Sequence, residues 1–416
     1  MKRKLPIIVP CLGEEEAQAA AAAVLSGWVT QGPAVEAFER KFAAAVGAPF
    51  ACAVSNCTAA LHMALLGVGV SLGDVVLTVS HSFIATANAV RCCGAEPVFV
   101  DIDLQTLNID PDRLEETVER DFERKNDFFW HRAPERLITC FSPFARCAPP
   151  LGRLAAILVV HQAGMPADLR RILPLAQKWG LPVVEDAACA VGSEIKRDPS
   201  APWERIGKPH GNVACFSFHP RKILTTGDGG MLVTASRTLY ERFRLLRQHG
   251  MSVPDTVRHS VNQVLFESYV LPAFNYRMTD IQAAVGCKQL DRLDAIIEKR
   301  RFLAGEYQRQ ILGIPGVEAP KEPEYARSNW QSFIVRLQDA SLQTTVMQRL
   351  LDMGVSTRRG IMCAHLEPAY AGIFVSNGLE GSLIARDTGI ILPLFHGMEV
   401  EDVNYVAMCL RNALQV

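Results

Sequence analysis

Four short segments of this chain carry residue types that chemistry could use. Cys215-Phe-Ser-Phe-His-Pro-Arg-Lys222 runs from an apolar strand into the turn Thr225-Thr-Gly-Asp-Gly-Gly230, which places Lys222 just beyond a strand end. In a cleft there, desolvation penalises the ammonium form and favours the neutral amine, the nucleophilic form. Leu181-Pro-Val-Val-Glu-Asp-Ala-Ala188 reads as a buried strand ending in two carboxylates. Alternation sends Glu185 and Asp186 to opposite sides, so only one can face a ligand at the strand end, and Asp186 is assigned to it. Val54-Ser-Asn-Cys-Thr-Ala-Ala-Leu61 is a strand-to-helix junction, where backbone N–H groups and the Thr58 hydroxyl can hold a phosphate. Ser217 can add a second hydroxyl. Phe83, in Ser80-His-Ser-Phe-Ile-Ala-Thr86, can stack on a ring. Taken singly, each has an ordinary reading: a surface lysine, a strand-end acid capping a helix, an N-cap, a core aromatic. Taken together, an amine, an acid, an anion cup and a stacking ring are the parts of a pyridoxal 5'-phosphate (PLP) site.

The bulk properties agree with an enzyme of that kind. A chain of 416 residues suits a large α/β domain with a smaller C-terminal one. Hydrophobic residues at 49% and charged residues at 21% make a globular composition. The net charge of −1 gives no general attraction to nucleic acid or anionic membrane, so an anionic ligand must be gripped by a few placed donors. Met1-Lys-Arg-Lys-Leu-Pro6 leads into Pro10 and Gly13-Glu-Glu-Glu16, not into a signal peptide's apolar region, and no apolar run reaches a membrane span. A cytoplasmic protein is expected. The twelve cysteines include no C-x-x-C pair, and Cys52, Cys215 and Cys287 lie in apolar stretches, as reduced core thiols do. No metal is expected, because no H-E-x-x-H or Cys/His cluster occurs at metal spacing. No G-x-S-x-G elbow occurs. Gly67-x-Gly69-x-x-x-Gly73 follows a helix, unlike a dinucleotide fingerprint, which follows a strand.

Bringing the four segments together requires strands that end side by side. Apolar runs at 50–55, 75–79, 97–101, 156–161, 182–185, 213–218 and 231–234 predict strands covered on both faces. Helical stretches at 58–66, 83–92 and 167–179 alternate with several of them. The expected fold class is α/β, a large domain with a mostly parallel central sheet flanked by helices. Thr279-x-x-Gln282 predicts a capping box opening one long amphipathic helix to about residue 312. Past Pro315 and Pro320, a strand at 331–337 and helices at 342–353 and 403–414 predict a smaller α+β domain. The division expected is 1–312 and 313–416. An insertion at about 119–150 breaks the rhythm with prolines and aromatics; it reads equally as a lid or a disordered excursion.

Eleven segments, in this order and at these separations, resemble the DegT/DnrJ/EryC1/StrS family of fold-type-I PLP sugar aminotransferases. They are Gly27-Trp-Val-Thr-Gln-Gly-Pro33, Asn56-Cys-Thr-Ala-Ala-Leu61, Ser82-Phe-Ile-Ala-Thr-Ala-Asn88, Glu185-Asp-Ala-Ala188, and Phe216-Ser-Phe-His-Pro-Arg-Lys222 with Thr226-Gly-Asp-Gly-Gly230. Phe274-Asn-Tyr-Arg-Met-Thr-Asp-Ile-Gln-Ala-Ala284, Asn329-Trp-Gln-Ser-Phe333, Ser356-Thr-Arg-Arg359, His365-Leu-Glu-Pro-Ala-Tyr370 and Leu392-Pro-Leu-Phe395 complete the set. The resemblance implies that Lys222 forms the Schiff base with PLP and later shuttles a proton. It implies that Asp186 pairs with the pyridine nitrogen, that Phe83 stacks on the ring, and that Cys57, Thr58 and Ser217 hold the phosphate. Asn275 would reach the phosphate of a neighbouring subunit's cofactor, making a homodimer with shared sites. The implied reaction is a ping-pong transfer from an amino acid, glutamate by resemblance, to a keto sugar carried on a nucleotide, as in amino-sugar biosynthesis. Arg358 and Arg359 are candidates for gripping its diphosphate, and His219 for a further substrate contact.

Three departures bear on the pocket. Cys57 stands where the family usually has glycine, Cys189 where it has Gln or His, and His161-Gln-Ala-Gly164 where it has His-Leu-Tyr-Gly. Two other readings stay open. Some relatives dehydrate sugars with PLP, typically with histidine in place of the lysine, which Lys222 disfavours. A PLP-binding regulatory protein without turnover is the other.

Overall fold

The computed structural model describes residues 4–253, 263–376 and 378–415, so the Met1–Arg3 start of the N-terminal reading lies outside it. The apolar runs become neighbours in a nine-stranded sheet. Its main path runs Phe50–Val54, Gly230–Thr234, Val213–Ser217, Val183–Asp186, Arg153–Val160, Asp74–Val79, Glu96–Val100. From Val213–Ser217 onward every pairing on this path is parallel, and Gly230–Thr234 is antiparallel to both its neighbours. Val183–Asp186, Val213–Ser217, Asp74–Val79 and Glu96–Val100 are buried along their whole lengths, which is why their sequences run apolar without alternating. Parallel strands end at one edge. The residues that follow them, from Asn56 to Lys222, are therefore gathered there.

Two contacts fix that edge. Asn56 caps the helix Cys57–Gly67, its Oδ1 accepting from Ala59 N at 2.9 Å. Against this first turn lies Gly230, where a Cβ would stand 2.5 Å from the Asn56 carbonyl carbon and oxygen and 2.8 Å from Cys57 N. Only glycine lets strand and helix approach so closely. The edge strand Phe50–Val54 is held by a buried pair: Glu39 accepts from Ala53 N at 2.8 Å, and Arg247 bonds both Glu39 and, at 2.9 Å, Ala53 O.

Three expectations are corrected. The capping box at Thr279 forms, but the long helix is two, Asp280–Asp291 and Leu293–Ile311, parted at Arg292 (φ −107°, ψ 0°). There the Arg292 side chain reaches back to Cys11 O at 3.0 Å and to Glu16. The second core also begins before residue 313, because Leu303, Ala304, Tyr307 and Ile311 bury one stripe of that helix against the smaller sheet, and Leu5 joins them. That sheet has the order Val317–Glu318, Phe333–Leu337, Gly389–Leu392, Arg358–Arg359, antiparallel throughout. Finally, the 119–150 insertion is neither disordered nor part of the main cavity wall. Its hairpin Phe122–Lys125/Phe128–His131 extends the large sheet through Trp130 opposite Arg153. Leu137 and Phe144 are buried, and the Arg136 guanidinium sits 3.5 Å over the Phe374 ring. Its few core-forming side chains sit among prolines and charges, so its order rests on docking that no periodicity announces.

All twelve cysteines are free. Among the described residues no helix is long and apolar enough to cross a membrane.

The close approach at Gly230 predicts that Gly230→Ala lowers stability by about 1–3 kcal/mol, the usual cost of forcing extra atoms into a packed site. Urea denaturation of the cofactor-free protein measures this. An unchanged midpoint would mean the strand moves aside freely.

Candidate active site

A cavity of about 830 Å³ opens at the edge where the parallel strands end. Lys222, Asp186, Cys57, Thr58, Ser217, Phe83, His219, Arg358 and Arg359 all contribute to its wall. Asn275 does not; it is exposed, with its backbone bridged to Gln248.

Lys222 is half-buried in a turn closed by its own N–H donating to His219 O at 2.8 Å. Its Nζ donates to Cys189 Sγ at 3.0 Å. Burial weakens the hold on its proton, but the hydrogen bond to Cys189 and the nearby Asp186 carboxylate outweigh that effect, and the net direction is upward. The expectation of an easily deprotonated amine is thus reversed in the ligand-free pocket. The reason is physical: the groups around Nζ favour its charged form more than the lost water disfavours it.

Asp186 shows the opposite balance. Burial raises its carboxyl above the ordinary aspartate value, against the pull of Thr86, Ala188, Lys222 and His161. Thr86 Oγ1 donates to Oδ2 at 2.8 Å and Ala188 N to Oδ1 at 3.2 Å, both neutral donors. A protonated ring nitrogen facing this carboxylate would supply the countercharge that those donors lack. Glu185 turns away from the cavity wall. Its Oε2 lies 3.0 Å from His161 Nε2 and its Oε1 accepts from Gly211 N at 2.8 Å. Ala167 N donates to His161 Nδ1 at 3.0 Å, so the ring proton sits on Nε2, facing Glu185. Burial would raise the Glu185 carboxyl, but His161 and its other partners hold it below the usual range.

The anion cup lies at the start of the helix Cys57–Gly67. The first N–H groups of a helix have no partner within it, and Asn56 takes only that of Ala59. The Cys57 and Thr58 N–H groups are then available to an anion, with the Thr58 side chain exposed to the cavity and Ser217 across from it. Burial pushes the Cys57 thiol well up, so it packs as a neutral group. Phe83 is 63% exposed beside the buried Ser82, a large apolar side chain mostly open to the cavity. A phosphate cup, a buried carboxylate hydrogen-bonded by neutral donors, a lysine and an exposed aromatic ring fit PLP.

Several wall residues escaped the sequence reading. Thr86 orients Asp186, and the only signal for it was its place three positions after Phe83, one helical turn on. His161 and Gln331 line the cavity too, but their contacts depend on residues distant in sequence. Arg221 joins Arg358 and Arg359 in the wall.

Comparison with known proteins follows the same lines. The model of the DegT/DnrJ/EryC1/StrS aminotransferase family matches residues 10–411. The chain is 33% identical over 417 residues to the spore coat polysaccharide biosynthesis protein SpsC of Bacillus subtilis (strain 168), covering 99% of this chain and 97% of that one. Among solved structures it is similar to the aminotransferase TlmJ of Streptoalloteichus hindustanus, at 31% identity and a TM-score of 0.81, over 99% of this chain and 98% of that one. DesI, solved in the presence of its TDP-sugar product, is 26% identical with a TM-score of 0.79, over 100% of this chain and 94% of that one. The architecture is the fold-type-I one expected.

The raised Asp186 carboxyl gives a signed prediction. A folded-state value above the ordinary 3.8 makes ionised Asp186 a cost to folding, in full above the folded value and relieved as pH falls through it. Cofactor-free Asp186→Asn should therefore resist urea better than the wild type at neutral pH, with the gap closing in acid. It should also bind PLP about 10–100-fold more weakly, the loss of one charged hydrogen bond. A destabilised Asn variant at neutral pH would show that burial does not dominate at this site.

Proposed function

The chain belongs to the DegT/DnrJ/EryC1/StrS aminotransferase family, is a sugar aminotransferase with PLP as its cofactor, and from that premise we propose that it carries nitrogen from glutamate to a keto sugar borne on a nucleotide. The observation that carries this reading is the meeting of Lys222 and Asp186 at one end of a cavity whose wall also holds Arg221, Arg358 and Arg359.

PLP held in the cavity would supply a carrier for the amino group and an electron sink for the substrate carbon. Lys222 supplies the amine that holds the cofactor and, when released, moves a proton at that carbon. Asp186 keeps the ring nitrogen protonated, with Thr86 fixing the carboxylate by its 2.8 Å hydrogen bond. Phe83, exposed in the cavity wall, would stack on the ring. The Cys57 and Thr58 N–H groups and the hydroxyls of Thr58 and Ser217 hold the phosphate. Arg358 and Arg359 stand exposed on a short strand and both line the cavity, and a guanidinium matches the oxygens of a diphosphate. His219, in the turn before Lys222, is the further substrate contact. The TDP-sugar product of DesI supports a nucleotide-linked substrate. Donor and acceptor use one cavity in turn, which makes the cycle ping-pong. Asn275 is exposed and outside its own chain's cavity, which supports its reaching the cofactor phosphate of a second copy, with a homodimer as the active unit.

Two experiments test this reading. Lys222→Ala should keep PLP, lose the absorbance band of the lysine-linked cofactor, and turn over about 10²–10⁴-fold more slowly or worse. Mixing the wild type with L-glutamate should bleach that band and release 2-oxoglutarate; a holoenzyme that takes nitrogen from no amino acid would sink the proposal.

For the acceptor, Arg358→Ala and Arg359→Ala should raise KM for a nucleotide-linked keto sugar by about 10–100-fold. The glutamate half-reaction should be untouched. Equal losses in both half-reactions would place the arginines elsewhere in the mechanism.

A further inference from the structure

Arg300 is a cation almost wholly out of water, 3% exposed, and its hydrogen bonds go to carbonyls. Nε and Nη2 donate to Trp330 O at 3.0 and 2.9 Å, and Nη2 also to Gln331 O at 2.7 Å. Burial pulls the guanidinium down to about 9, still above neutrality, so the charge is retained. A desolvated charge is a large cost to accept for two backbone groups. The backbone it holds is itself strained. Trp330 is 4% exposed and sits at φ 52°, a left-handed conformation that a bulky side chain rarely adopts.

The elbow at Trp330 sends its two flanking side chains toward Lys222 from different directions. Asn329 Nδ2 donates to Cys189 O and Val191 O, both at 2.8 Å, and Cys189 is the residue whose sulfur meets Lys222 Nζ. Gln331 Nε2 donates to the carbonyl of Arg221, the residue before Lys222, at 2.9 Å. The Asn329 side has no slack. A Cβ on Gly164 would stand 2.0 Å from Asn329 Oδ1, and Ser193 Oγ, donating to Gly164 O at 2.6 Å, accepts from Asn329 N at 3.1 Å.

We propose that the elbow Asn329-Trp330-Gln331, clamped by Arg300, is a positioning device for Lys222, setting the Cys189 sulfur on one side of the amine and the Arg221 backbone on the other. None of the three elbow residues is a catalytic group. They act through the loops they hold. Strain at Trp330 and desolvation at Arg300 are both sustained because the helix and the elbow lock each other in place. Arg300 lies in the helix Leu293–Ile311, whose later turns belong to the second core, so the device also ties the packing of the smaller sheet to the amine. The inference rests on the reading of Lys222 as the residue that holds PLP.

The test is an absorbance titration of the holoenzyme across pH, with no substrate present, for the wild type, Asn329→Ala, Gln331→Ala and Arg300→Lys. The Cys189 sulfur accepts a hydrogen bond from Lys222 and favours the protonated nitrogen, so loosening it shifts the midpoint downward. The expected shift is about half a pH unit or more, a roughly three-fold change in the proton equilibrium, with PLP still bound. Thermal melts run alongside separate positioning from stability: a lowered Tm with an unmoved midpoint in every variant overturns the proposal. If Asn329→Ala or Arg300→Lys does not fold, Gln331→Ala alone decides, since it removes only the side chain's bonds to Arg221 O and Ser332 Oγ and leaves the clamp. Lys222→Ala is the control. A titration that persists there overturns the assignment of the amine itself, whereas one that vanishes there and stays fixed in the elbow variants overturns only the elbow's role.

Discussion

A carboxylate held out of water with neutral donors is the constraint around which this molecule is arranged. Asp186 ends a strand buried along its whole length, so its backbone must be paired within the sheet while its side chain meets the cavity. Thr86 and Ala188 supply hydrogen bonds but no charge. The positive partners have to come from elsewhere, and the parallel sheet is what brings them. Lys222 arrives from the neighbouring strand end, the helix at Cys57 from Phe50–Val54 two strands further along, and the ligand itself completes the balance. Had the Val213–Ser217 strand run antiparallel to Val183–Asp186, the lysine would open at the opposite edge.

Much of this was legible because complete burial leaves a mark on composition. Strands covered on both faces must be apolar throughout, and the runs at 75–79, 97–101 and 213–218 fall on Asp74–Val79, Glu96–Val100 and Val213–Ser217. Alternation at the end of one such strand separates Glu185 from Asp186, and the capping box at Thr279 starts its helix where expected. Where the sequence reading failed, the deciding contact was remote. The proton affinity of Lys222 depends on Cys189, the break at Arg292 coincides with a reach to Glu16, and Asp186 is oriented by a threonine a hundred residues earlier. A local window holds no trace of such partners.

The same distinction explains the insertion. Its hairpin is short and its buried side chains are few, so neither strand nor helix period emerges from its sequence. It is ordered by what it lies against: Arg153 in the large sheet and Phe374 from the C-terminal part. Arg91, bonded to Thr139, to Ala369 O and to the buried Glu96, ties the three regions into one structural unit.

The uncovered ring of Phe83 extends the matter from chemistry to the life of the protein in the cell. An apolar side chain 63% open to solvent and a desolvated carboxylate opposite are both liabilities in the empty molecule, and one ligand relieves both. A ligand that binds only the folded chain adds to its stability in proportion to the logarithm of its concentration. Empty molecules therefore visit the unfolded state more often and are removed sooner by proteases. The fraction of folded chain then rises with the concentration of the ligand that fills the cavity.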